Sequence, residues 1–167
     1  MLKLFFIGAS SFIIALSGAM MPGPLFAVTV SETPRRGILT GAILVTGHGV
    51  LELILLFLII SGASSFLQMK ETFISVAFIG AVFLFFTGLS MFRSMPKLSL
   101  KNNTNTQIQK SLFLSGIFLS LANPYWLFWW STIGVGYVVQ AMEIGLLGIT
   151  AFFLGHIMGD FVWYSTV

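Results

Sequence analysis

The sequence predicts an all-α integral membrane protein with five transmembrane helices of an expected six, built as a 3+3 inverted repeat with broken helices. Three observations lead there. The chain is 57% hydrophobic and only 8% charged, against roughly 25% charged in an average soluble domain. Its apolar residues fall into five long stretches, and a bilayer core needs ~20 mostly apolar residues per helix. One motif also recurs inside those stretches, as Gly47-His48-x-x-x-Glu52 and as Gly155-His156-x-x-x-Asp160. A central charge costs ~2.5–3.5 kcal/mol on insertion scales, so an ionisable pair at that depth marks a pathway by default. Two pairs in equivalent places point to a duplicated transporter half.

The first stretch covers residues 4–30. Lys3, the run Leu4–Leu16 and Ser17-Gly18-Ala19 resemble a signal peptide loosely, but the apolar stretch continues past them to Val30, so an uncleaved span is expected. Pro22 and Pro24 remove two backbone donors, and the helix should break or kink there. The second stretch, 38–61, carries His48 and Glu52; the third, 72–92, carries no charge. The fourth, 111–136, contains Asn123-Pro124 near its middle and should bend, and the fifth, 144–166, carries His156 and Asp160. Trp126, Trp129 and Trp130 lie near mid-span, where packing or pocket lining suits them better than interface anchoring. Gly41, Gly47, Gly80, Gly88, Gly116, Gly148 and Gly155 are the positions where helices can approach closely.

Between the third and fourth stretches, residues 93–110 are polar, with four basic residues and no acid. This reads as a solvated linker. One transmembrane transporter domain is therefore expected over 1–167: a first three-helix repeat at 1–92, a cytoplasmic linker at 93–110, and a second repeat at 111–167 lacking its last helix. Loop 31–37 and the linker hold Arg35, Arg36, Arg93, Lys97, Lys101 and Lys110, whereas the opposite face holds Lys3 and Lys70. Six against two places the first face in the cytoplasm of a cell (inner) membrane protein, with the N-terminus outside. The net charge of +3 is too small, and too confined to loops, to indicate nucleic acid. With no Cys, disulfides and thiolate metal sites are excluded. No phosphate loop or nucleophile–base pair is present, so neither an enzyme nor a cofactor is expected. The partners expected are the lipid bilayer and a small-molecule substrate, and self-association into a homo-oligomer is compatible with both.

Laying Pro22 on Pro124 matches Leu25 with Leu127 and Phe26 with Phe128 without a gap. Spans one and two thus resemble spans four and five, while span three has no counterpart. A three-span unit is odd, so its second copy runs antiparallel to the first. The same logic predicts a sixth span after Val167.

His48 and Glu52 are four residues apart and share one helix face, as do His156 and Asp160. Three chemistries fit such pairs. Histidine titrates near neutrality and a carboxylate holds either a proton or an ammonium group, which makes a proton relay or a substrate-amine site. The pairs could instead be hydrogen-bonded glue between helices. As an alternative, His48, Glu52, His156 and Asp160 offer four ligands to Mn²⁺, Zn²⁺ or Fe²⁺. Pro22-Gly23-Pro24 frees carbonyls at a helix end, and irregular backbone at depth is tolerated where it lines a cavity. Asn123 before Pro124 either meets a substrate or caps the bent turn.

Taken together, Pro22-Gly23-Pro24 closing span one, Gly47-His48 with Glu52 in span two, the polar loop after span three and Asn123-Pro124 in span four resemble the lysine-exporter (LysE/RhtB-type) amino-acid efflux family. That family usually has six spans, and an acidic residue often follows the Gly of span two; here His48 takes that place and the acid comes at Glu52. The resemblance implies proton-driven export of amino acids or similar small solutes. On that view Glu52 and Asp160 alternate between a proton and the substrate's ammonium, His48 and His156 tune the exchange, and the helix ends at Pro22 and Pro124 meet the substrate.

Overall fold

The chain breaks where the sequence removes its backbone donors. Helix α1 (Leu2–Ala19) stops at Met20, and Gly23 is extended at φ −132° and ψ −177°. Helix α2 (Pro24–Arg36) then starts on a proline, which is tolerated where the first N–H has no intrahelical partner. It ends at Gly37, whose φ of 94° lies in the left-handed region. The computed structural model describes residues 1–63 and 111–167 and, between them, 69–71, 74, 75, 78, 81, 82, 85, 86 and 89. Helix α3 (Thr40–Leu58) runs into a π-helical turn, Ile59–Ala63. Helix α4 (Leu112–Leu121) breaks at Asn123, and α5 (Pro124–Trp129), a π turn (Trp130–Gly134) and α6 (Val135–Met142) follow as one rod. The two sides of that break differ in direction by 63°. Helix α7 (Leu146–Thr166) begins after a turn at Gly145, φ 84°.

Among the described residues, Leu2–Ala19, Thr40–Ala63 and Leu146–Thr166 are long and apolar enough to cross a membrane, and the bent pair Leu112–Leu121 with Pro124–Met142 is a fourth if its two arms form one span. Three sequence boundaries need correction. The first span does not run on to residue 30: it ends at Ala19, because the prolines break the ladder and α2 turns polar with Thr29, Ser31, Glu32 and Thr33. Residues 31–36 are the end of α2 rather than loop, and Glu32 there faces Arg36 at 2.6 Å and Arg35 at 3.7 Å. The fourth span reaches Met142 rather than 136. The linker 93–110, most of the predicted span 72–92, and Gly80 and Gly88 with it, lie outside the described residues.

Glycines set the packing. A side chain at Gly47 would strike the Phe113 carbonyl, and one at Gly116 would strike the Leu44 carbonyl. A side chain at Gly155 would strike the Gly8 carbonyl, and one at Gly8 would lie 3.3 Å from the Ala151 carbonyl. The α3–α4 and α1–α7 pairs therefore meet backbone to backbone, as small residues permit in membranes. In each pair the helices run the same way: Gly8 lies by Ala151 and Phe12 by Gly159 in one, and Leu44 lies by Gly116 and His48 by Ser120 in the other. Helices α3 and α7 run oppositely, with Gly41 at Tyr164 and Gly49 at Ile157. Leu44 and Val45 of α3 join one apolar cluster with Leu25, Leu119 and Tyr164, and Leu55 and Leu56 join another with Trp130, Val138 and Phe152. His48 and Glu52 fall on the helix between the two. Outward, Phe5, Phe6, Ile13, Ile54, Phe57, Leu154 and Met158 are exposed apolar groups, as a lipid-facing surface requires.

Candidate functional site

Helix α3 presents His48 and Glu52 one turn apart toward α7, which presents His156 and Asp160 toward α3. All four are buried. His48 Nε2 lies 3.1 Å from Glu52 Oε1 and 3.6 Å from Asp160 Oδ2. His156 Nε2 lies 3.1 Å from Glu52 Oε2 and 3.6 Å from Asp160 Oδ2. Two pairs that are local in sequence thus form one four-membered cluster across a separation of 104 residues between Glu52 and His156.

The tryptophans complete it. Trp126 and Trp130 are four apart on the rod behind the α4 break, and both indole N–H groups donate to Glu52 Oε1, at 3.1 and 2.8 Å. The π turn begins at Trp130, and Gly134 leaves room for its ring, since a Cβ there would sit 2.6 Å from Trp130 Cε3. The indole of Trp129 packs on the His156 ring, with centroids 4.7 Å apart. Behind His48, the Ser120 hydroxyl donates its one proton to the Gly116 carbonyl at 2.7 Å and so accepts from His48 Nδ1–H, also at 2.7 Å. With Nδ1 protonated, the 3.1 Å contact between His48 Nε2 and a carboxylate oxygen needs a further proton between them.

The two helix breaks lie against each other. A Cβ on Gly23 would approach Asn123 Nδ2 to 3.2 Å, while Asn123 Oδ1 caps α5 by accepting from the Tyr125 N–H at 3.1 Å. Gly23, Asn123 and all four cluster residues line one cavity of about 50 Å³, together with Gly18, Ser120, Trp126 and Trp129. At roughly 10–15 Å³ of such volume per water, that is room for a few waters or the polar head of a small solute. Pro22, Pro24 and Pro124 do not line it; they set the breaks that open it. Among the described residues, His48, Glu52 and Asp160 can bring ligand atoms within 4.8 Å of one another. Sequence reasoning placed the tryptophans as lining or packing and did not single out Ser120 or Tyr164. The four-residue spacing of Trp126 with Trp130, and of Asp160 with Tyr164, was the available signal.

The family model of the LysE type translocator matches residues 16–167, and the chain belongs to that family. It is similar to an uncharacterized membrane protein of Pseudomonas aeruginosa, 29% identical over 112 residues, which cover 63% of this chain and 51% of that protein. The chain spans about half the length of that curated relative. No solved structure matches it.

Proposed function

We propose that this member of the LysE type translocator family exports amino acids or similar small amino-bearing solutes across the cell's inner membrane in exchange for protons. The observation that carries the reading is the buried cluster of His48, Glu52, His156 and Asp160 on one cavity with the two helix breaks. Intramembrane ionisable groups facing a cavity are a pathway by default. The family membership supports translocation, and the extra proton that the Ser120–His48–Glu52 geometry requires supports proton coupling.

The transporter is read as an inverted repeat. The same offset along the chain relates Gly8 to Gly116, Gly47 to Gly155, His48 to His156 and Glu52 to Asp160. It also carries the close α1–α7 approach onto the α4–α3 approach, and α3 and α7 run in opposite senses as a two-fold axis in the membrane plane requires. The basic linker 93–110 is assigned to the cytoplasm, with the N-terminus outside.

A divalent cation is the second reading, favoured by the ligand-like convergence of His48, Glu52 and Asp160. Against it, Glu52 Oε1 already accepts from two indole donors, which leaves Glu52 a single oxygen for a cation.

The test is growth of cells expressing the full-length protein under challenge by amino acids or dipeptides and, separately, by Mn²⁺, Zn²⁺ or Fe²⁺. Glu52→Gln abolishes resistance to the amino-bearing solute on the first reading and to the metal on the second. Unchanged export in both Glu52→Gln and Asp160→Asn removes both readings and leaves the pairs as structural glue.

A further inference from the structure

Hydrogen-bonding capacity in the cavity is shared unequally between the two carboxylates. Glu52 accepts from the indoles of Trp126 and Trp130. Asp160, its counterpart in the repeated motif, has an Oδ2 with no hydrogen-bond partner in the protein, and its two imidazole neighbours stand 3.6 Å away. The residues behind each break account for this. With Pro22 laid on Pro124, the places of Trp126 and Trp130 are filled in the first copy by Pro24 and Val28, which bring no side-chain donor.

Three more buried atoms of residues lining this cavity lack a hydrogen-bond partner: Glu52 Oε2, His156 Nδ1 and Trp129 Nε1. Trp129 Nε1 has no acceptor in the protein. It faces the space above Gly18, where an added Cβ would lie 3.3 Å from it. Asp160, Trp129 and Gly18 all line the cavity. A buried polar group left unpaired is costly, so Asp160 Oδ2, with no ionic neighbour nearer than 3.6 Å, and the Trp129 N–H call for partners that arrive through the cavity. One is an acceptor on a carboxylate and the other a neutral donor. A solute carrying both an ammonium and a carboxylate satisfies the two at once.

We propose that Asp160 and Trp129 make the direct contacts to the transported solute: Asp160 receives its ammonium and the Trp129 N–H its carboxylate, while Trp126 and Trp130 hold Glu52 as a fixed anion. The inference rests on the export reading above and refines it, because the two motif carboxylates no longer alternate as equals. Trp126 and Trp130 are positioning residues. Their indoles occupy Glu52 Oε1, and Glu52 Oε2, though it receives no hydrogen bond, lies 3.1 Å from His156 Nε2, closer than either imidazole stands to Asp160 Oδ2.

The test is a set of binding ratios on the purified full-length protein. Thermal stabilisation is titrated with the proteinogenic amino acids, then with the N-acetyl and C-amide derivatives of the strongest one. The wild type should favour the free amino acid over each derivative by roughly ten- to hundredfold, the scale of a hydrogen bond to a charged group. Asp160→Asn erases the preference over the N-acetyl form and keeps that over the amide. Asp160→Glu, which restores the carboxylate, recovers it. Trp129→Phe erases the preference over the amide and keeps the other. Gly18→Ala, which crowds the Trp129 N–H without removing it, weakens the same preference. Glu52→Gln weakens all three ligands alike and leaves their ratios in place. Ratios are read on folded molecules, so a low yield of one variant does not obscure them. If Glu52→Gln rather than Asp160→Asn erases the amine preference, this inference is overturned and the export reading stands. If no amino acid stabilises the wild type, the export reading falls and this inference falls with it.

Discussion

Glu52 and Asp160 occupy matching places in matching motifs, yet their surroundings differ sharply. Two indoles donate to Glu52, and an imidazole nitrogen of each histidine lies about 3.1 Å from one of its oxygens. Around Asp160 Oδ2 stand the same two imidazoles at 3.6 Å and no hydrogen bond. The motif helices are alike; the breaks behind them are not. Leu25-Phe26-Ala27-Val28 follows one proline element, and Tyr125-Trp126-Leu127-Phe128-Trp129-Trp130 follows the other. The recurring motif therefore does not bring a recurring environment, because the neighbours of each carboxylate come from outside the motif.

The strongest way to break this comparison is to neutralise each carboxylate in turn. Glu52→Gln should lower stability by about 3 kcal/mol or more, since removing one member of a buried charged pair leaves its partners uncompensated. Asp160→Asn should cost less than half of that, having little hydrogen bonding to lose. Equal losses of denaturation midpoint in the two detergent-solubilised variants would mean that the two sites are equivalent after all. A smaller effect isolates the indoles. Trp130→Phe should destabilise by about 1–2 kcal/mol, the range for interhelical hydrogen bonds in membranes, and Val28→Phe at the matching place should not reproduce the loss through Asp160.

The glycine contacts test where the copies remain alike. Gly47→Ala and Gly155→Ala each press a methyl onto a facing carbonyl, of Phe113 and of Gly8, and each should cost about 1–3 kcal/mol as overpacking. A large cost at one and none at the other, by thermal unfolding, would undo the matched crossings. The smallest effect belongs to α2. Glu32→Ala, which removes the partner of Arg35 and Arg36, should change stability by no more than about 1 kcal/mol, as exposed pairs do. Orientation is checked separately in this Cys-free chain: an impermeant thiol reagent applied to intact cells should leave Asn103→Cys unlabelled, and labelling would invert the topology.

Much of the fold was legible because its causes are local. Low charge content and apolar stretches announce membrane helices, since a bilayer core offers backbone groups no water to bond with. Pro22, Pro24 and Pro124 announce breaks, since a missing N–H is a property of the residue itself. The four-residue spacing put each histidine and its carboxylate on one helix face before any packing was known. The end of the first span was misread for the converse reason: the break at Pro22–Pro24 was legible, but the apolar run continues past it, and that the chain beyond forms a separate helix shows only in the backbone.

The rest was decided by tertiary structure. That His156 meets Glu52, that Ser120 backs His48, and that Trp126 and Trp130 turn their N–H groups onto one oxygen are contacts across separations of 104, 72, 74 and 78 residues. No helical period encodes them. They depend on the close approach that glycines allow between α3, α4 and α7, and on the 63° bend that swings the tryptophan rod over the cluster. Sequence alone supplied the ionisable groups and their faces. Which carboxylate oxygen receives donors follows from where neighbouring helices deliver them, and that is a property of the packed bundle.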